Sequence, residues 1–383
     1  MRTARIALIS VLFLGPLNCG AANDLTIISF GRADQEALNK AYYGPFHART
    51  GIEVRSLSYD GQTAELGQMV KDGRLSWDVI QVESRTLQLG CQEGLFEKLD
   101  YRRIGDKGDF IPGAVSDCGV GIFAWSMALG YDADRVKGAP NSWADFWNLK
   151  KYPGKRGLRR SAKYTLEIAL LADNVAPDDV YKVLSTPQGV DRAFRKLDQI
   201  KSSVIWWEAA AQPTAYLATG RIVMTSTYTL WFDRERRARR NFELAWNQSL
   251  YDVDSWAILK GTPRVSDAYQ FIAFASQPER QKVLSETLGY GPTNRKAVWM
   301  LDLPRAGAIP SAEINLKSAL KIDVAFWIRH GEELEKRFDR WAPQICRQQT
   351  DDDDDNDYQD QPVCQDALGN LRLLPAEKHP QKN

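Results

Sequence analysis

The chain has 383 residues, 44% of them hydrophobic and 26% charged, with 50 lysines and arginines against 49 aspartates and glutamates. That length exceeds a comfortable single core, so two lobes are expected. The near-balance of charge excludes the strongly basic profile of a nucleic-acid-binding protein, and much of the acid sits in the segment from Gln348 to Asn383.

Arg2 and Arg5 precede a short apolar run, Ile6 to Leu14, and small residues follow at Gly20, Ala21 and Ala22. This is the layout of a cleaved signal peptide over residues 1–22, too short to span a bilayer. Cys19 leaves a lipoprotein open, but Pro16-Leu17-Asn18 fits lipidation poorly. The mature protein is expected to be periplasmic.

Leu25 to Phe30 then reads as a buried strand running into Gly31, followed by a helix through Tyr42 and Phe46 and a strand over Gly51–Val54. Trp77–Val82 reads as a strand ending in Glu83-Ser84-Arg85, with a helix over Thr86–Gly94. Gly119–Trp125 and Met127–Tyr131 make a long extended stretch, suited to crossing between lobes. Ser142 and Asp145 have capping-box spacing at the start of a helix. A strand at Lys155–Leu158, a helix at Tyr164–Asp173, an extended Ser203–Trp207, a helix at Pro213–Thr219, a strand at Arg221–Met224 and a basic helix at Asp233–Arg240 follow. The chain returns at Asp252–Leu259, continues through a helix at Ser266–Ser276 and a loop at Leu288–Asn294, and closes with a helix at Glu332–Trp341. This alternation implies an α/β fold with largely parallel sheets. Asp351–Asp355 and the polar residues after it bury no core and are expected to be disordered.

Beyond Cys19 there remain Cys91, Cys118, Cys346 and Cys364. An even number in an oxidising compartment favours disulfides, and chain order suggests Cys91–Cys118 and Cys346–Cys364, with the other pairings open. His47, His330 and His379 are isolated, and no metal-ligand spacing occurs.

Several segments together resemble the spermidine/putrescine-binding family of bacterial periplasmic solute-binding proteins. They are Leu25–Gly31, Thr50–Val54, Trp77–Ile80, Asn141–Trp147, Asp254–Leu259, Ala268–Phe274 and Gly289–Asn294. The resemblance covers residues 25 to about 342. It implies a two-lobed periplasmic binding protein fold (type II) with the ligand in the cleft between lobes, and delivery to a membrane ABC permease. Lobe 1 would comprise 23–130 and 252–300 and lobe 2 would comprise 131–251, with C-terminal helices over 301–347 packing across both. A monomer without cofactor or metal is expected.

Ligands in open α/β sheets sit at the carboxyl ends of strands. Strand ends and the resemblance together select Gly31, Arg32, Glu83, Ser84, Arg85, Tyr164, Trp207, Glu208, Thr227, Tyr228, Asp252, Asp254 and Tyr290 as candidate ligand contacts. A polyamine needs carboxylates for its ammonium groups and aromatic faces along its methylenes. Asp254 and Tyr290 match the family's acid and aromatic. Ser161 and Tyr164 stand where the family has acids, and Arg32 and Arg85 would repel a polycation while suiting a carboxylate, or else pair with Glu83 or Asp34 and only shape the rim. The expected ligand is therefore a small amine-bearing solute, a polyamine or an amino-acid-like molecule. Rival readings are a ferric-ion or oxyanion binder using Tyr42 and Tyr43, a cysteine enzyme using Cys91 or Cys118, and a sensory rather than transport role.

Overall fold

The computed structural model describes residues 24–59, 61, 64–342 and three backbone segments at 346–347, 363–365 and 371–373. The side chains of residues 32, 33, 64 and 237 and of the three C-terminal segments lie outside that description, as do residues 1–23 and the acidic run expected to be disordered.

β1 (Leu25–Phe30), β2 (Val54–Tyr59) and β3 (Val79–Val82) run parallel, with Ile27 and Ile28 of β1 opposite Val79 and Ile80 of β3. The continuous apolar character of β1 and β3 reflects burial on both faces, the usual state of parallel strands. β4 (Gly119–Asp132) is the long extended stretch foreseen in the sequence, now one unbroken strand of 14 residues. β5 (Arg156–Arg159), β6 (Val204–Trp207) and β7 (Met224–Tyr228) form a second parallel set. β7 begins where the expected Arg221–Met224 strand was to end. β8 (Phe242–Ile258) is a strand of 17 residues, starting ten residues earlier than expected.

The sheet order is β2-β1-β3-β8-β4-β7-β5-β6. β4 and β8 pair antiparallel along nearly their whole length, from Gly119 opposite Ala257 to Asp132 opposite Phe242. They join the first parallel set to the second. β9 (Gly291–Pro292) adds to β4, and β10 (Leu320–Lys321) adds to β8.

Each half has its own core. Tyr42, Phe46, Trp256 and Phe271 are buried in the first half, so the Tyr42-Tyr43 pair packs in the interior. Trp143, Phe146, Leu166 and Trp207 fill the second. The closing helix is Val324–Trp341, 18 residues and eight more than expected, because Gly331 is tolerated within it. It buries Phe326, Trp327, Leu334 and Phe338 in the second core, and it also packs on the Ser84–Gln92 helix of the first half.

One close approach depends on glycine. A Cβ at Gly130 of β4 would lie 2.2 Å from the Phe232 ring, so the Thr229–Arg237 helix seats on the strand only because no side chain intervenes. Ser142 caps the Trp143–Trp147 helix by accepting from the Asp145 amide, as the spacing predicted.

Cys91 and Cys118 form a disulfide with a Cα–Cα distance of 5.8 Å, fastening the end of the Ser84–Gln92 helix to the start of β4. In the C-terminal segments Cys346 lies opposite Cys364 in the antiparallel pairing of β11 (Cys346–Arg347) with β12 (Val363–Gln365); β13 (Leu371–Leu373) completes that small sheet. Their sulfurs lie outside the described residues. No helix among the described residues is long and apolar enough to cross a membrane.

Candidate ligand-binding chamber

The carboxyl ends of β1, β3 and β7 converge beside the middle of β4 and β8. They surround a chamber of about 260 Å³. Phe30 ends β1, and Asp34 stands on the helix that follows. Gln81 comes from β3, and Glu83 follows that strand. Phe123, Trp125 and Ser126 come from β4, Asp254 from β8, and Tyr290 from the loop before β9. The second half supplies Tyr164, Tyr228 and the first turn of the Thr229–Arg237 helix.

The walls are aromatic. Phe123 and Tyr290 stack with ring centroids 4.0 Å apart and planes 6° from parallel. Trp125 meets Tyr228 at 5.7 Å and Tyr164 at 6.2 Å, both edge to face. One ring thus bridges the first half's strand to two tyrosines of the second.

Carboxylates gather on one side. Gln81 Nε2 and Trp125 Nε1 each donate to Asp254 at 3.1 Å. Burial raises the Asp254 pKa well above the ordinary carboxylate value, and repulsion from Glu83 and Asp252 adds to the rise. Asp252 accepts from the Ser84 hydroxyl and, at 2.8 Å, from the Val253 amide; burial raises its pKa too. Asp34 is raised by burial and lowered by Arg234. Such a cluster is costly until a cation enters.

Against two tyrosines of the chamber wall, but outside its lining, stands Arg159, the last residue of β5. Its guanidinium donates to the Tyr228 hydroxyl and lies 5.3 Å from the Tyr164 ring centroid, 5.8 Å from Tyr228 and 5.9 Å from Trp207. No carboxylate among the described residues lies within ion-pair distance of it. Beside it, the first-turn amides of the Thr229–Arg237 helix present partial positive charge.

Of the residues selected from sequence, Glu83, Tyr164, Tyr228, Asp254 and Tyr290 line the chamber together. Asp252 and Ser84 stand next to Asp254, while Trp207 and Thr227 are fully buried behind Tyr228. Gly31 forms the turn after Phe30 at φ 57°, and Arg32 begins the helix beyond it with its side chain outside the described residues. Arg85 is exposed on the Ser84–Gln92 helix and Glu208 is exposed after β6; neither lines the chamber. Neither Arg85 nor Arg159 lines the chamber, though Arg159 reaches its wall by donating to the Tyr228 hydroxyl. A larger groove of about 860 Å³ runs between the Ser84–Gln92 helix and residues 319–325, but only Ser84 of the selected residues touches it.

A two-half α/β sheet with an aromatic, acid-bearing chamber at its strand ends is the architecture of a solute-binding protein, and the family described as bacterial extracellular solute-binding protein matches residues 41–309. The chain belongs to that family. Among its relatives, the γ-aminobutyric acid-binding protein of Pseudomonas aeruginosa is 48% identical over 339 residues, covering 88% of this chain and 96% of the relative. The spermidine/putrescine-binding periplasmic protein of Escherichia coli is 21% identical over 264 residues, 66% of this chain and 73% of the relative. A solved structure described as the Atu4243-GABA receptor superposes with a TM-score of 0.73 at 33% identity, covering 83% of this chain and 97% of that one. The polyamine branch is thus a more distant resemblance than the sequence reading took it to be. As for the cysteine-enzyme reading, both candidate thiols of this solute-binding protein are joined in the Cys91–Cys118 disulfide. No group of three or more His, Cys, Asp or Glu residues among the described residues could hold a metal ion.

Proposed function

We propose that the chain is the periplasmic substrate-binding component of an ABC transporter and that it captures γ-aminobutyrate or a close ω-amino acid in this chamber. The observation that carries this reading is one ring-lined space that holds Asp254 and Glu83 and whose wall tyrosines, Tyr164 and Tyr228, are backed by the Arg159 guanidinium. An ammonium group neutralises the acids and lies against the Trp125 and Tyr290 faces, where cation–π attraction adds ~0.5–2 kcal/mol. A carboxylate at the far end meets Arg159 and the first-turn amides of the Thr229–Arg237 helix.

A polyamine fits less well, since its second ammonium would face a guanidinium. The names of the relatives with 48% and 33% identity point the same way. On this reading residues 23–130 and 252–300 act as one lobe and 131–251 as the other. Residues 301–347 run across them, and the chain is exported by its first 22 residues and docks on a membrane permease.

Titration calorimetry of the mature protein with γ-aminobutyrate, putrescine, spermidine, glutamate and succinate tests the reading. γ-Aminobutyrate is expected to bind tightest. Putrescine or spermidine binding more tightly would return the ligand to the polyamines.

A further inference from the structure

Tyr164 is the one chamber residue whose backbone is held in the left-handed region, at φ 76° and ψ −42°. A bulky side chain there is a true outlier and persists only where its surroundings over-determine it. Glycine would adopt this conformation freely, so the tyrosine ring is retained against the backbone's preference.

Anchors flank the residue on both sides. After it, Thr165 Oγ1 donates to the Arg159 carbonyl at 2.8 Å. Before it, the arm Ser161 to Lys163 departs from a regular helical turn at both ends, with Ser161 at ψ 145° and Lys163 at ψ 133°, so that the helix is kinked at Lys163 and Tyr164. That arm is gripped by a single carboxylate, Glu335 of the Val324–Trp341 helix. Glu335 Oε1 accepts from the Ser161 hydroxyl at 2.7 Å and from the Lys163 amide at 3.1 Å, and its Oε2 accepts from the Ala162 amide at 2.8 Å. One turn further along the same helix, Asp339 pairs with Arg160 at 2.9 Å. Both acids are on the helix that also packs on the Ser84–Gln92 helix of the other half.

We propose that Glu335 is a positioning residue for the chamber: its carboxylate holds the Ser161–Lys163 arm and thereby keeps the strained Tyr164 in the wall that closes around the ligand. Its side chain lines no part of the chamber, so it acts through Tyr164 and not on the solute. Both carboxylate oxygens are needed, because the amides of Ala162 and Lys163 are held by different ones. Glutamine offers only one acceptor oxygen in their place.

The inference rests on the proposed function for its ligand, and the test separates the two. γ-Aminobutyrate affinity is measured by calorimetry for wild type, Glu335→Gln, Tyr164→Gly and the double variant, with Lys336→Gln as a control that breaks only an exposed ion pair with Glu332. Amide hydrogen exchange over residues 160–168 is measured for the same proteins without ligand. Glu335→Gln should weaken binding about tenfold, the scale of one charge-assisted hydrogen bond, and should speed exchange in that segment. In the Tyr164→Gly background, where no strained ring needs holding, it should weaken binding no further. Lys336→Gln should change neither. Unchanged affinity in Glu335→Gln, or the same loss in both backgrounds, overturns the proposal. If wild type ignores γ-aminobutyrate the functional reading falls instead. Exchange then still decides, faster exchange over 160–168 supporting the positioning role and unchanged exchange overturning it.

Discussion

Trp125 donates its indole N–H to Asp254 at 3.1 Å, from β4 to its neighbour β8, so the ring that walls the chamber also fixes its deepest acid. The Gln81 amide holds the other carboxylate oxygen at the same distance. Both lone-pair directions used by the protein leave the acid oriented but not neutralised.

Asp254→Asn keeps the size of the side chain and removes its charge. Affinity for γ-aminobutyrate should fall by roughly a hundredfold, as for a lost buried ionic partner. The ligand-free variant should melt a few degrees higher than wild type, because a buried like-charge cluster has been relieved. Calorimetry and a thermal melt read both effects. Retained affinity would remove Asp254 from the site.

Binding should also depend on pH with a defined sign. Burial raises the Asp254 pKa, so the empty chamber binds a proton at a pH where an ordinary aspartate has lost it. A bound ammonium favours the carboxylate and expels that proton. Affinity should therefore drop as pH falls through the raised titration, and calorimetry in buffers of different ionisation enthalpy should detect proton release. Proton uptake on binding would contradict the assignment.

Arg159 should govern discrimination between ω-amino acids and diamines. Arg159→Ala should weaken γ-aminobutyrate at least tenfold while leaving putrescine less affected, so the ratio of the two dissociation constants narrows. An equal loss for both ligands would mean that the guanidinium only supports Tyr164 and Tyr228.

A separate acid should shape stability. Glu167 is wholly buried between helices, accepting from Trp327 Nε1 at 2.7 Å and the Tyr181 hydroxyl at 3.0 Å, and burial raises its pKa to about 7. Between the ordinary value of 4.5 and about 7 the folded state binds more protons than the unfolded one. Stability from this group is therefore complete below the unfolded value and is lost as pH rises through 7, on the order of 3 kcal/mol. Denaturant unfolding of Glu167→Gln should show a weaker decline from pH 5 to 8 than wild type. Parallel curves would place the ionisation elsewhere.

The chamber's strand-end residues were legible because a parallel strand announces its end by a change from apolar to polar residues, as at Val82-Glu83. Asp254 and Tyr290 were reached through resemblance as well. Phe123 and Trp125 escaped notice because β4 is apolar on both faces, and sequence does not say which face meets the ligand. Arg159 escaped by one residue: the expected strand stopped at Leu158, and the guanidinium that matters lies just past it. The first half of β8 was hidden by Asn247, Gln248 and Ser249, polar residues that read as a loop. β7 slipped toward its end because Thr225, Ser226 and Thr227 are strand-compatible yet lack hydropathy. Arg85 is exposed on the Ser84–Gln92 helix, a direction that its place near a strand end does not reveal.

β4 and β8 form the floor of the chamber and, among the described residues, are the long strands that join the two parallel sets. Specificity and mechanical compliance are therefore written in the same residues. A substitution at Phe123, Trp125 or Asp254 that retunes ligand choice also alters the stiffness of the connection between the halves. New ligand preferences are then most freely acquired from the rim, at Asp34, Glu83 or Trp231, where chemistry changes and the paired backbone of β4 and β8 does not.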